Sequence, residues 1–157
     1  MPVTLPTVGA SEGTWGTELN AFLSVQHNSD GTHSFQKEYT DSLLSATTVA
    51  FNSAAATTLY TVPAGKRCVL TKAIIVAGAD AGATTLTIGQ SSALTDFLGT
   101  QTLSNLDAQY DAVICIPTPS TTPPKNKSYA AATVLKVNVT AAHGGATNTI
   151  YLFGFLY

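Results

Sequence analysis

The chain has 157 residues, a usual size for a single domain with a core of its own. Charged residues make up only 10% of it, compared with about 25% in an average soluble protein, and most of the uncharged polar residues that replace them are threonine. The net charge is −2, and Lys and Arg form no cluster beyond Lys66-Arg67 and Lys125-x-Lys127, so we expect no nucleic-acid partner. Because interspersed charge normally keeps domains apart, we expect other subunits to cover part of this surface.

The first 42 residues differ from the rest of the chain. Residues 1–13 contain two prolines and two glycines with almost no periodic apolar pattern, which predicts an extended arm. Thr14 is a candidate N-cap for one short helix at about residues 14–27, and the apolar face of this helix carries Trp15, Leu19, Phe22 and Leu23. About three turns of helix do not persist alone in water, so this face needs a partner surface. The candidates are its own β-domain, a neighbouring subunit and a larger particle.

Residues 43–157 change to an apolar period of two, which indicates β-strands. We predict strands at about 46–51, 57–62, 67–76, 84–89, 109–116, 129–140 (with or without an interruption) and 148–157. Turn residues at Pro63–Lys66, Gly78–Gly82 and His143–Gly145 join consecutive strands, the first as a tight hairpin. Seven or eight short strands predict an all-β domain, either a β-sandwich or its eight-stranded jelly-roll form.

Two segments depart from this pattern. Ser91–Asp107 contains five large apolar residues without clean alternation, so it fits a long loop or a short helix. Pro117–Lys127 contains four prolines, which excludes a central strand and predicts a projecting loop. We expect contact with an outside partner at that loop.

The last strand is apolar on both faces. Ile150, Leu152 and Leu156 point to one side, and the other side carries Tyr151, Phe153, Phe155 and Tyr157. One face can enter the core of the domain, and an aromatic ladder on the other is typical of a subunit interface. The alternative is an inner strand that another part of the same chain covers.

Residue patterns for catalysis are weak throughout. His27, Asp30 and His33 lie close in sequence but lack the spacing of a zinc site, and His143 precedes two glycines as a loop histidine would. Asp107 and Asp111 would share a face only in a helix, and no nucleophile motif or phosphate-binding loop is present. We therefore predict no catalytic residue, no metal site and no cofactor.

The cysteines and the N-terminus indicate whether the protein is secreted or inserted in a membrane. Cys68 and Cys115 each lie within an apolar run, which predicts buried free thiols, with a disulfide between adjacent strands as the alternative. No stretch approaches 18 uninterrupted apolar residues, and Met1-Pro2-Val3-Thr4 lacks a basic region, so we expect neither a membrane span nor a signal peptide.

The segment from Leu5 to Leu23 contains Gly13-Thr14-Trp15-Gly16 and then Leu19-Asn20. It resembles the N-terminal leader of tailed-bacteriophage virion appendage proteins, and Asp30-Gly31-Thr32-His33 resembles the sequel often found after that helix. The block from Leu59-Tyr60-Thr61-Val62-Pro63-Ala64-Gly65-Lys66 through Ile88 is similar to β-sandwich modules of phage fibre and head-decoration proteins. The resemblance implies that residues 1 to about 40 attach to the virion while the domain from about residue 43 projects, commonly as a trimer.

The resemblance implies a non-enzymatic virion protein that is assembled in the host cytoplasm. Since the chain has no shaft repeat and no heptads, we expect a homotrimeric capsid decoration (cement) or head-fibre protein whose partners are other virion proteins of the capsid or tail. Trp15, Leu19, Phe22 and Leu23 would anchor the arm, and Tyr151, Phe153, Phe155 and Tyr157 would form the subunit interface. The alternative is a short tail-fibre or receptor-binding module that recognises a host surface glycan.

Overall fold

The computed structural model describes residues 41–119, 126–144 and 147–157. The predicted arm and helix lie outside these residues, and so do Trp15, Leu19, Phe22 and Leu23 and the cluster of His27, Asp30 and His33. The described residues form nine strands and no helix: β1 (Ser42–Ala50), β2 (Ala56–Thr61), β3 (Cys68–Val76), β4 (Thr85–Gln90), β5 (Ala93–Thr102), β6 (Ala112–Cys115), β7 (Ser128–Tyr129), β8 (Val134–Ala141) and β9 (Thr147–Leu156).

The strands form two antiparallel sheets. The first sheet has the order β1-β9-β3-β6, with the two-residue strand β7 also paired to β3, and the second has the order β2-β8-β4-β5. The pairs β1–β9, β2–β8, β3–β6 and β4–β5 are the rungs of one long antiparallel ribbon. Rolling this ribbon brings β9 beside β3 and β8 beside β4. This strand order is that of a jelly roll, so the predicted all-β sandwich is confirmed.

The core lies between the two sheets. Each sheet points alternate residues inward, as in Leu135, Val137 and Val139 of β8, which are almost fully buried, while Lys136 and Asn138 between them are partly exposed. Burying one such aliphatic side chain contributes about 1.5–3 kcal/mol before the entropy of ordering is counted. The largest side chains that are almost fully buried come from both sheets and their connections: Phe51, Leu70, Ile75, Leu86, Ile88, Leu98, Leu106, Tyr129, Leu135, Ile150 and Leu152.

The segment Ser91–Asp107 is neither a long loop nor a helix in its first part, contrary to our expectation. Residues 93–102 form β5, which is joined to β4 by the two residues Ser91 and Ser92. The pairing of β4 with β5 shifts register twice, between Leu86 and Ile88 and again between Ile88 and Gln90. Because of these irregularities, Phe97 and its neighbour Leu98 are both buried. Burial in β5 therefore does not alternate with a period of two.

The predicted tight hairpin at Pro63–Lys66 is wrong. Its turn connects β2 of the second sheet to β3 of the first, and Gly65 there has a φ of 72°, which favours glycine. The turns at Gly78–Gly82 and at His143 also pass between sheets rather than closing hairpins. The turn residues therefore predicted correctly where the chain reverses direction, but they did not predict which strands pair.

Candidate interaction surface

A buried polar cluster surrounds Asp96 of β5. Its carboxylate accepts hydrogen bonds from the Tyr129 hydroxyl at 3.0 Å, from the Gln90 backbone N–H at 3.0 Å and from Lys127 Nζ at 2.7 Å. Burial and, secondly, the negative charge of Asp96 raise the pKa of Tyr129 far above its usual range. These hydrogen bonds hold β5 to the end of β4 and to β7, so this cluster stabilises the fold.

The other titratable residues considered from sequence are dispersed. Asp111 Oδ2 accepts a hydrogen bond from Ala108 N at 2.8 Å, which fixes a turn before β6. His143 Nε2 lies 3.6 Å from Asp80 Oδ2 at the surface. Within residues 41–119, 126–144 and 147–157, no group of three His, Cys, Asp or Glu side chains is placed to hold a metal ion.

Cys68 and Cys115 are free thiols, as predicted. Cys68 is fully buried and Cys115 is 8% exposed. Burial raises the pKa of each thiol to about 11. Both are therefore mainly protonated at neutral pH, which slows their reaction with electrophiles.

On the outer side of the first sheet, β1, β9, β3 and β6 each contribute apolar side chains that lie next to one another. One row in register consists of Ala46 on β1, Tyr151 on β9, Ile74 on β3 and Ile114 on β6. A second row brings Leu43 beside Phe153, and Val69 lies beside Phe155. Adjacent strands lie about 4.8 Å apart, so these side chains touch as neighbours. We call this surface the apolar face: Leu43, Ala46, Val69, Ile74, Ile114, Tyr151, Phe153 and Phe155.

The aromatic ladder predicted from sequence lies on the apolar face, with β9 between β1 and β3. Tyr151, Phe153 and Phe155 are half-buried by their neighbours. Tyr157, just after β9, is 41% exposed, and its hydroxyl lies 2.7 Å from Ser128 Oγ. Hydrogen bonds with Ser128 and Arg67 lower the pKa of Tyr157.

One charged residue, Lys72, lies among these side chains. It is paired in register with Phe153, and its Nζ atom lies 4.8 Å from the centre of the Phe153 ring. The carboxylate of Asp41, which directly precedes β1, accepts hydrogen bonds from Lys72 Nζ and Thr71 Oγ1. Burial raises the pKa of Asp41, but the Lys72 and Thr71 hydrogen bonds outweigh burial and lower the pKa overall. The ammonium group is therefore paired within its own chain.

The outer side of the second sheet has a different character. Thr58 of β2 is paired in register with Lys136 of β8, and Asn138 and Thr140 follow on the same side of β8. These residues are partly or fully exposed, and Thr140 Oγ1 donates a hydrogen bond to the Thr85 carbonyl at 3.0 Å. The sandwich thus has one polar and one apolar outer side.

The sequence pattern predicted the part of the apolar face that lies on β9, but not the parts on β1, β3 and β6. Ile114 of β6 is 66% exposed and Leu43 of β1 is 51% exposed, more than any member of the ladder. The sequence does indicate the part on β3. The run Ala73–Val76 is apolar at every position, so β3 also has two apolar faces. Only the strand order places this second face beside the one on β9.

No helix long and apolar enough to cross a membrane occurs in the part of the chain that the structure describes.

No protein-family model matches the chain, and no curated protein matches it. Among solved structures, the chain is similar to one titled "Cyanophage Pam1 capsid asymmetric unit", with 16% sequence identity and a TM-score of 0.46 over 100% of this chain and 99% of that one. A likeness of this degree establishes neither a common fold nor a common function, so the jelly-roll assignment rests on the strand order alone.

Proposed function

We propose that the chain is a non-enzymatic structural protein of a tailed-phage virion. It assembles in the host cytoplasm as a homotrimeric capsid decoration (cement) or head-fibre protein. In this proposal the copies associate through the apolar face, with Tyr151, Phe153 and Phe155, and through the neighbouring Tyr157. The N-terminal arm attaches the trimer to other virion proteins through Trp15, Leu19, Phe22 and Leu23.

The apolar face is the observation that carries the proposal. Monomeric soluble proteins rarely expose a wide contiguous apolar patch, and such patches mark contact surfaces. Interface cores are depleted of charge and enriched in aromatic residues, and on this face the single ammonium group, that of Lys72, already has a carboxylate partner in Asp41. The polar outer side of the second sheet gives the contrast expected if one side faces water and the other faces another copy.

The phage assignment is supported by the leader from Leu5 to Leu23, which resembles the N-terminal segment of virion appendage proteins. The non-enzymatic assignment is supported by the polar clusters around Asp96, Asp111 and Asp80, whose hydrogen bonds and ion pairs hold turns and strands together. The 157-residue sequence contains no shaft repeat and no heptads, which favours the head over a long tail fibre.

The test of self-association is the solution mass of the full chain by size-exclusion chromatography with light scattering. We expect three times the chain mass of 16.2 kDa. Leu43→Lys places a charge on the apolar face at an exposed edge-strand position and should shift the mass towards the monomer. Thr58→Lys is the matched control, because Thr58 is exposed on an edge strand of the second sheet, and it should leave the trimer intact. A monomeric wild-type chain, or equal behaviour of the two variants, would contradict the proposed interface.

The virion assignment is tested by mass spectrometry and immunogold labelling of purified particles of the phage that carries the gene. Labelling over the whole head supports decoration, labelling at a few head positions supports a head fibre, and labelling of the tail contradicts both. Particles prepared without the protein should bind the added wild-type trimer but not a Trp15→Ala trimer. Equal binding of the two would exclude an anchoring role for Trp15.

A further inference from the structure

Tyr110 is an exposed aromatic residue beside the edge of the first sheet. Its side chain is 78% exposed, and its φ of 71° is unusual for a bulky residue. The backbone is held on both sides, because Tyr110 N donates to the Ala77 carbonyl at 2.8 Å and Ala77 N donates to the Asp111 carbonyl at 2.8 Å. A strained residue that its surroundings hold in place is a common feature of binding sites. The backbone therefore directs the side chain of Tyr110 away from the domain and into solvent.

A pocket of about 220 Å³ opens between β5 and β6, the edge strands of the two sheets. Leu98, Leu103 and Cys115 are its most buried lining residues. Polar side chains, including the exposed Gln101 and Ser104, also line it. Since an apolar cavity of about 150 Å³ can hold benzene, this pocket has room for one phenol ring. Its mixed lining suits a side chain with an apolar ring and a polar tip.

We propose that the Tyr110 side chain of one copy inserts into the β5–β6 pocket of the next copy. This contact presupposes the self-association proposed above and gives it a specific anchor. Tyr110 does not fill the pocket of its own chain, because its side chain is almost entirely in solvent. Tyrosine anchors in pockets are among the residues that dominate the energy of protein interfaces.

The position of the pocket links this contact to the apolar face. Ile114 lines the pocket and also ends the in-register row of that face, so the two surfaces form one continuous patch. In the proposed trimer, each pocket is filled by the Tyr110 side chain of a neighbouring copy.

The test compares the full-length wild-type chain with four variants by light scattering over a dilution series. Tyr110→Ala removes the projection, and Gln101→Trp blocks the pocket from an exposed lining position. Both should raise the dissociation constant by about 30-fold or more, as expected for loss of a dominant interface residue. Tyr110→Phe keeps the ring, and Thr100→Trp adds the same bulk at an exposed neighbour that does not line the pocket. Thr100→Trp should assemble as the wild type does, and Tyr110→Phe should lose far less affinity than Tyr110→Ala.

Cys115 supplies a second readout, because it lines the pocket. Its alkylation by a small maleimide should be slower in the assembled wild type than in Tyr110→Ala. If Tyr110→Ala assembles as tightly as the wild type while Leu43→Lys dissociates, the Tyr110 contact is wrong and the proposed self-association stands. If the wild type is monomeric at every concentration and Cys115 reacts equally in all variants, both fail.

Discussion

Asp96 provides a quantitative test of the β4–β5 region, the part of the fold that the sequence did not predict. We expect Asp96→Ala to lower the free energy of unfolding by about 3 kcal/mol. The Tyr129 hydroxyl, on a residue that is 2% exposed, would lose its acceptor at a cost of about 1–3 kcal/mol, and the Gln90 N–H would add about 1 kcal/mol. Lys127 is 37% exposed, so water screens its ion pair and its loss adds little.

Tyr129→Phe is the matched control for that substitution. It removes the hydroxyl itself and leaves no buried donor without an acceptor, so we expect a loss of only about 1 kcal/mol. The assay is urea denaturation followed by circular dichroism at one fixed protein concentration, since self-association adds to apparent stability. A loss below about 0.5 kcal/mol for Asp96→Ala, within the range of ordinary surface substitutions, would refute the reasoning. So would an equal loss in the two variants.

Two further predictions concern the first sheet and the thiols. Gly154→Ala should destabilise the protein by about 2 kcal/mol in the same denaturation assay, because a Cβ atom there would lie 2.4 Å from the Val69 carbonyl oxygen; an unchanged midpoint would contradict the close approach of β9 to β3. The pKa of Cys68 and of Cys115 is raised to about 11, whereas an unfolded thiol titrates near 8.5. The unfolded chain therefore loses these protons first, so the contribution of the two thiols to stability should be constant below about pH 8.5 and fall as the pH rises towards 11. Cys115→Ala should reduce this slope, and an unchanged slope would show that its thiol does not contribute.

Regular strands could be predicted from sequence because their burial alternates. Burial alternates along most of β8 and β9, and β9 lies within one residue of its predicted bounds. The strand predicted at 129–140 is interrupted, because β7 ends at Tyr129 and β8 begins at Val134. β5 could not be predicted in this way. Its register shifts and the inward carboxylate of Asp96 remove the alternation, and only pairing with β4 identifies it as a strand.

Strand pairing was beyond the reach of local signals. Ser42 Oγ donates a hydrogen bond to the Gly154 carbonyl, 112 residues away, and nothing near Ser42 in sequence indicates that partner. The same limit applies to the candidate surface. The aromatic side of β9 is evident in the sequence, but its union with Ile74 and Ile114 depends on the order β9-β3-β6. The Tyr110 projection depends on a backbone angle that no sequence pattern indicated.

The low content of charged residues can be explained by the difference between the two outer sides of the sandwich. A charge buried at an interface without a partner costs several kcal/mol, so a surface that is to be covered must have few charges, and those few must be paired. Lys72 meets this condition, because Asp41 neutralises it and the Phe153 ring lies beneath its ammonium group. Asp41 directly precedes β1, the edge strand, and it reaches past β9 to β3 to make this contact. Asp41, directly before β1, thus gives Lys72 the partner that a charge on a covered surface requires.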